Sequence, residues 1–232
     1  MPTAPLSRRA LIAGAALLAA IGGATPAFAQ AAAWPAKPLR IIVGFPAGSS
    51  PDLTARALAD PLEKALGQPV IVDNRAGAGG NIGADAVAKA TDGHTIGLMI
   101  NGNMTIARLL NPAVRYDPLK DLAPVSLVGV APLVLTASAS AAGGDARAFF
   151  DAARAAGDKW SYGSPGVGTV GHIGMELLKC RAGIAPVHVP YPGYPQVFNA
   201  MVGGDLQLSM LPPALANTQI KAMIAKNQFG LG

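Results

Sequence analysis

The stretch LRIIVGFPAGSSPD, residues 39–52, decides the fold. Leu39 to Phe45 is apolar and rich in β-branched residues, which predicts a buried strand, and the Pro-Ala-Gly-Ser-Ser run after it predicts a tight loop. Ser50 is a candidate helix N-cap with Pro51 at the first helical position, and apolar residues then recur at helical spacing up to Leu66. The stretch therefore predicts a strand, a loop and a helix in succession.

This alternation continues along the chain. Further strands are predicted at residues 70–72, 95–100, 122–130, 132–136, 160–162 and 187–189. Further helices are predicted at residues 81–90, 146–156 and 170–180. Strand and helix units of this size indicate an α/β fold with a mainly parallel sheet.

The first pattern recurs in the second half of the chain, where the strand at 160–162 leads into the loop at 163–168 and then into a helix. Two such units with small, polar, Gly-rich loops predict two similar lobes that face one another. We place the first lobe at residues 30–129 and the second at 130–232, without support from any literal sequence repeat.

Each loop lies where a strand meets a helix N-terminus, at which backbone N–H groups lack internal partners and the helix dipole favours negative charge. The residues that leave these amides open or add hydroxyl donors are Gly48, Ser49 and Ser50 in the first loop and Ser164, Gly166, Gly168 and Thr169 in the second. The pair of loops predicts a site for a small anion. The alternative is that Gly, Ser and Pro simply serve as turn residues.

Residues 1–29 have the pattern of a cleaved export signal, with Arg8 and Arg9 before an apolar run at 10–24 and a small-x-small site at Ala27–Ala29. The run is shorter than the ~20 residues of a membrane-spanning helix. Both the Sec and the twin-arginine route remain open. We expect a periplasmic protein without an intrachain disulfide, because Cys180 is the single cysteine.

The net charge of +5 includes the two arginines of the leader, and no basic-aromatic stripe indicates a nucleic-acid partner. Gly166-Val-Gly-Thr-Val-Gly171 matches the dinucleotide pattern G-x-G-x-x-G, but the acidic residue expected ~20 positions later is missing. An exported nucleotide-dependent enzyme is therefore the disfavoured alternative. The three histidines and Cys180 show no zinc spacing, so we expect no metal, no cofactor and no catalytic residues.

Six motifs in order resemble the substrate-binding proteins of tripartite tricarboxylate transporters, also called the Bug family. The motifs are FPAGSSPD at 45–52, LGQPV at 66–70, NRAGAGGNIG at 74–83, YDPLKDLAPV at 116–125, YGSPGVGT at 162–169 and VHVPYPG at 187–193. The resemblance implies a two-lobed, type II periplasmic-binding-protein-like fold. It also implies a receptor that closes on a small organic carboxylate and hands it to the permease subunits of the membrane transporter.

By the same resemblance, the binding loops are residues 45–52 and 164–172, to which we add residues that follow two further strands. The predicted ligand-binding residues are Phe45, Ala47, Gly48, Ser49, Ser50, Asp52, Asn101, Ser164, Gly168, Thr169, His172 and Tyr191. In such proteins backbone amides, hydroxyls and water hold the carboxylate, so the absence of Arg and Lys from both loops is no objection.

The chain departs from the family in two ways. Gln207 and Leu211 replace two aspartates of the family's pattern, and Leu211 argues against a ligand amine. The family's pattern is also lost at residues 217–232, so we expect a truncated member, frame-shifted or a fragment, with an incomplete first lobe, low stability and weak binding. A non-functional remnant is the alternative that these departures leave open.

Overall fold

The computed structural model describes residues 34–141 and 145–218. The predicted export signal and the last 14 residues, 219–232, lie outside this described part. The strands are β1 (Leu39–Val43), β2 (Val70–Asn74), β3 (Thr95–Leu98), β4 (Val134–Ala137), β5 (Ser161–Ser164), β6 (Val187–Pro190) and β7 (Leu208–Leu211). The helices are α1 (Ser50–Leu66), α2 (Asn81–Ala88), α3 (Asn101–Thr105), α4 (Ala107–Leu110), α5 (Ala146–Ala156), α6 (Val170–Ala182) and α7 (Tyr194–Gly203).

The first sheet has three parallel strands in the order β2-β1-β3. The central strand β1 is buried on both faces because α1 and α2 pack against the sheet, and this explains its nearly continuous apolar sequence. The core of this half is formed by Ile41, Val43, Phe45 and Ala55. The mainly parallel topology predicted from the strand and helix alternation is thus observed.

The second sheet has four strands in the order β4-β7-β5-β6, in which only β4 runs antiparallel to its neighbour. Tyr162 and Leu208, on neighbouring strands, are fully buried and pack with Met175 of α6 in its core. A second cluster forms around Val197 and Met201 of α7. The strands of the first sheet all precede the predicted lobe boundary between residues 129 and 130, and those of the second sheet all follow it. The division into two lobes at this boundary stays a prediction.

Two expectations about local structure were wrong. The predicted strand at 122–130 has no regular structure, because no described strand forms a ladder with it, and Val125 is 89% exposed. The N-cap of α1 is Ser49 rather than Ser50, with Pro51 one position further into the helix. None of the described helices is long and apolar enough to cross a membrane.

Candidate functional site

The helices α1 and α6 begin in the same way. Their N-caps, Ser49 and Thr169, have nearly equal dihedral angles (φ −73° and ψ 158°; φ −73° and ψ 159°), and neither side chain caps its helix. The first-turn N–H groups are therefore without the side-chain acceptor that N-cap residues often supply. Both helix starts line one cavity of about 650 Å³, a volume typical of a small-molecule site.

The wall of this cavity combines a few hydroxyl groups with many apolar atoms. It is lined by Phe45, Ser49, Ser50, Pro51, Thr54, Leu98, Met99, Ile100, Asn101, residues 127–133, Pro165, Thr169, Val170, Tyr194 and Pro212. None of these residues carries a charged side chain. Its polar character comes from hydroxyls, one amide side chain and the two helix starts.

The side chain of Ser49 is the unusual polar group in this wall. The residue is only 2% exposed, and its Oγ makes no hydrogen bond within the described part of the chain. Leaving a buried hydroxyl without a partner costs about 1–3 kcal/mol. An oxygen of a bound molecule would supply the missing partner.

The start of α6 offers a row of backbone donors. The N–H groups of Val170, Gly171 and His172 make no hydrogen bond among the described residues, and no acidic residue lies in this first turn. At the start of α1, Pro51 has no N–H group, which leaves those of Ser50 and Asp52. The second helix start is therefore the better anion site.

The first loop is braced by the carboxylate of Asp52, which is 1% exposed. It accepts hydrogen bonds from Gly48 N (2.9 Å), Arg56 Nε (3.0 Å) and Asn74 Nδ2 (2.9 Å). Burial alone raises the pKa of this carboxyl, but the bonds from Arg56, Gly48 and Asn74 outweigh it and hold the pKa below its usual range. Asn74 also donates to Phe45 O, so the whole loop is tied to β2.

The second loop is braced by neutral groups instead. Ser164 Oγ lies 2.7 Å from His188 Nε2, and Gly168 N donates to His172 Nδ1 (3.3 Å). The rings of His172 and His188 lie 4.4 Å apart between centroids, and His188 also stacks on Tyr162. The bond from Gly168 requires His172 Nδ1 to be unprotonated.

Burial lowers the pKa of both histidines, and for His188 it reaches about 4 with the help of the neighbouring His172. Glu176 opposes this effect, but its carboxylate is already bound to Lys179 (2.9 Å) and to the hydroxyl of Tyr162. The loop around Gly168 therefore rests on uncharged imidazoles at neutral pH.

Tyr194, at the start of α7, is a cavity residue that the sequence analysis missed. A Cβ atom on Gly171 would lie 2.5 Å from its phenol oxygen, so a larger residue at this position would force the ring to move away from the first turn of α6. Burial raises the pKa of Tyr194, which keeps the hydroxyl protonated as a donor. The sequence did offer one indication of this role, because Tyr194 directly follows Gly193, the last residue of the sixth motif.

The two halves of the molecule touch at the second loop through glycines. A Cβ atom on Gly166 would lie 2.9 Å from the Cα atom of Gly79, and one on Gly102 would overlap the carbonyl oxygen of Gly168. Both contacts are made by backbone alone. At these two points the loop that begins α6 meets the first half through backbone atoms.

The predicted ligand-binding residues divide into two groups. Those that line the cavity are Phe45, Ser49, Ser50, Asn101 and Thr169. Those that lie outside its lining are Ala47, Gly48, Asp52, Ser164, Gly168, His172 and Tyr191. Gly48, Asp52, Ser164, Gly168 and His172 take part in the hydrogen bonds that brace the two loops, Tyr191 packs against a core cluster, and Ala47 lies in the first loop.

No group of three His, Cys, Asp or Glu residues that could hold a metal ion occurs in residues 34–141 and 145–218. The glycines of the G-x-G-x-x-G match take part in packing: Gly166 meets Gly79, Gly168 meets Gly102, and Gly171 makes room for Tyr194.

Residues 54–226 match the model of a family described as tripartite tricarboxylate transporter family receptors. Protein BugT of Bordetella pertussis is 39% identical over 189 residues, which cover 81% of this chain and 57% of BugT. Two solved structures from Rhodopseudomonas palustris are each 29% identical: Rpa4515 with adipate (TM-score 0.77) and MatC with bound malate (TM-score 0.76).

These structural matches cover 82% of this chain, and 64% and 65% of the two R. palustris chains. The chain thus spans between 57% and 65% of the length of these three proteins. The likeness confirms the predicted α/β fold of the periplasmic-binding-protein type, and the family model confirms the resemblance stated from the motifs.

Proposed function

Because this chain belongs to the tripartite tricarboxylate transporter receptor family, we propose that it is a periplasmic receptor for a small organic carboxylate. It delivers this ligand to the permease subunits of the membrane transporter. The family is one of solute-binding receptors, and the neighbours solved with adipate and malate hold molecules of this class.

The unpartnered hydroxyl of Ser49 is the observation that supports this proposal most directly. A buried donor without a partner is destabilising, and it becomes favourable when a ligand oxygen accepts its hydrogen bond. A carboxylate is the matching group, because its two oxygens accept several hydrogen bonds and donate none.

The remaining contacts come from α6 and α7. The free N–H group of Val170 donates to the carboxylate at the start of the helix, and the hydroxyl of Tyr194 donates from the side. The dipole of the 13-residue helix α6 adds a favourable field for the negative charge. Binding therefore requires no arginine or lysine.

We also propose that the chain performs no catalysis, although Ser164 and His188 form a short hydrogen bond of the kind that activates a nucleophile. Ser164 is fully buried, and neither residue lines the cavity. The pair lies behind the second loop, where a substrate carbonyl has no access to it. It supports the loop.

The test is isothermal titration of the purified protein with a panel of small carboxylates, in parallel with thermal unfolding. We expect Ser49→Ala to weaken binding about tenfold, the value of one hydrogen bond to a charged group, without lowering the Tm of the free protein. Ser126→Ala, at an exposed serine that does not line the cavity, is the control. Unchanged affinity in Ser49→Ala, or no binding of any carboxylate, would count against the proposal.

A further inference from the structure

A short turn at residues 77–80 contacts both of the loops that begin α1 and α6. On the side of the first loop, a Cβ atom on Gly80 would lie 2.8 Å from the ring of Phe45. On the side of the second loop, a Cβ atom on Gly79 would lie 2.8 Å from the carbonyl oxygen of Val167. Because both loops pack against the same turn, its position helps to set the distance between the two helix starts.

The backbone of this turn has an unusual conformation. All four of its residues have positive φ angles: 135° at Gly77, 50° at Ala78, 64° at Gly79 and 92° at Gly80. Glycine adopts such angles readily, but alanine does not. A turn of this kind persists only where the surrounding structure holds it. The residues that hold the turn therefore also control the spacing of the two loops.

Asn103 of α3 holds the turn from below the surface, since the residue is only 2% exposed. Its Nδ2 atom donates to Gly79 O (3.0 Å) and to Asn81 Oδ1 (2.8 Å), at the start of α2. Its neighbour Gly102 packs directly against the carbonyl oxygen of Gly168. The helix α3 thus reaches the second loop twice, once directly and once through the turn.

Tyr116 completes this network and is also 2% exposed. Its hydroxyl lies 2.9 Å from both Asn81 Oδ1 and Asn103 O, and its single hydrogen can be donated to either acceptor. Burial raises the pKa of Tyr116, which keeps the hydroxyl protonated. Neither Tyr116 nor Asn103 lines the cavity, so neither contacts a molecule bound there.

We propose that Asn103 and Tyr116 are positioning residues of the carboxylate site: they hold the turn at residues 77–80, and the turn spaces the two helix starts. This inference rests on the proposed function, since it assumes that one ligand contacts Ser49 and the start of α6 together. When the turn leaves its place, fewer molecules present both helix starts correctly. The apparent affinity then falls in proportion to the competent fraction.

The first test is titration calorimetry with adipate and malate, at a temperature at which every variant is folded. Tyr116→Phe removes only the hydroxyl, and we expect the affinity to fall about fivefold, the value of one hydrogen bond. The control is Ile184→Val, at a residue that is 4% exposed and lies outside the cavity lining. It should lower the Tm as Tyr116→Phe does but leave the affinity unchanged. Asn103→Ala should weaken binding further, and if it does not fold, Tyr116→Phe decides.

The second test measures the spacing itself by electron–electron double resonance between two spin labels. One label is attached to the native Cys180, which is exposed on α6, and the other to Leu53→Cys, at a residue of α1 that is 59% exposed. We expect Tyr116→Phe to broaden the distribution of distances between the labels, and Ile184→Val to leave it unchanged.

The possible results separate this inference from the proposed function. If adipate or malate binds the unaltered protein and Tyr116→Phe changes neither the affinity nor the distance distribution, the inference is overturned and the proposed function stands. An equal loss of affinity in Ile184→Val would also overturn the inference, because it would reflect stability alone. If no small carboxylate binds the unaltered protein, the proposed function fails, and this inference fails with it.

Discussion

The loops that begin α1 and α6 have nearly the same backbone conformation, but a charged group holds the first in place and neutral groups hold the second. Both follow a parallel strand, both have an extended N-cap residue whose side chain does not cap the helix, and both line the same cavity. The first is braced by the ionised carboxylate of Asp52 and the second by the neutral rings of His172 and His188.

This difference shows how a fold can repeat a unit and still give its two copies different tasks. A carboxylate inside the first loop fixes it rigidly but places a negative charge next to the helix start. Neutral imidazoles fix the second loop without such a charge. In the proposed site, the free backbone donors therefore lie mainly at α6, and α1 contributes mainly the Ser49 hydroxyl and apolar wall residues.

Replacing Asp52 should produce the largest effect. Asp52→Asn removes the charge that accepts hydrogen bonds from Gly48, Arg56 and Asn74, and we expect the free energy of unfolding to fall by about 2–3 kcal/mol. Urea unfolding followed by circular dichroism measures it. Asp60→Asn, at an exposed residue of the same helix, is the matched control and should change stability little. If both variants lowered the free energy of unfolding equally, the Asp52 carboxylate would have no special part in bracing the first loop.

An intermediate effect is expected at the glycine contact that holds the second loop. Gly102→Ala forces a Cβ atom into the carbonyl oxygen of Gly168, and such overpacking costs about 2 kcal/mol. The loop must shift, so carboxylate affinity should fall together with stability. Gly203→Ala, whose Cβ atom would meet only ordinary contact distances, should leave both unchanged. Thermal unfolding with and without ligand measures both stability and carboxylate affinity. If Gly102→Ala changed neither, the close contact between Gly102 and Gly168 would not hold the loop in place.

The smallest effect is a pH dependence confined to the second loop. The pKa of His188 falls from the ordinary 6.5 to about 4 in the folded chain, chiefly because of burial. Between these values the unfolded state binds more protons than the folded state, so the free energy of unfolding decreases as the pH falls through this window. The pKa of Asp52 lies below its ordinary 3.8, so its contribution stays constant there.

Hydrogen exchange at pH 7 and pH 5, corrected for intrinsic rates, should show protection lost in β5 and α6 but not in β1 and α1. The loss should be at most about 1 kcal/mol, because the two rings are partly exposed and solvent screens them. His188→Gln should reduce this pH dependence, and His94→Gln, in the first half, should not. Equal loss of protection in both halves would show that the imidazoles have no special part.

Elements with strong local patterns were predicted from the sequence, and elements that depend on distant partners were not. The helix at Ala146–Ala156 has the predicted bounds, and β1 lies within the predicted strand, because apolar spacing and turn residues specify both locally. The run at 122–130 has the composition of a strand, but a strand exists only where a neighbour completes its ladder.

The same reasoning applies to the site. Ser49, Ser50 and Thr169 were predicted because a helix start is readable from a few consecutive residues, and all three line the cavity. Tyr194 and Leu133 reach it only through the packing of α7 and of the segment before β4, which short motifs do not encode. Asp52 was predicted to bind the ligand because it belongs to the first motif, but in the structure its carboxylate accepts hydrogen bonds from Gly48 and Asn74.

The glycine contacts between Gly79 and Gly166, and between Gly102 and Gly168, have a consequence for how such a receptor diversifies. Because these surfaces meet through backbone atoms, with the methyl group of Thr169 close to Gly79, their fit depends little on the other side chains that line the cavity. Substitutions in the wall can therefore retune ligand preference while the joint between the halves stays intact. Selection can act on what is recognised and on how the halves meet as two nearly independent traits.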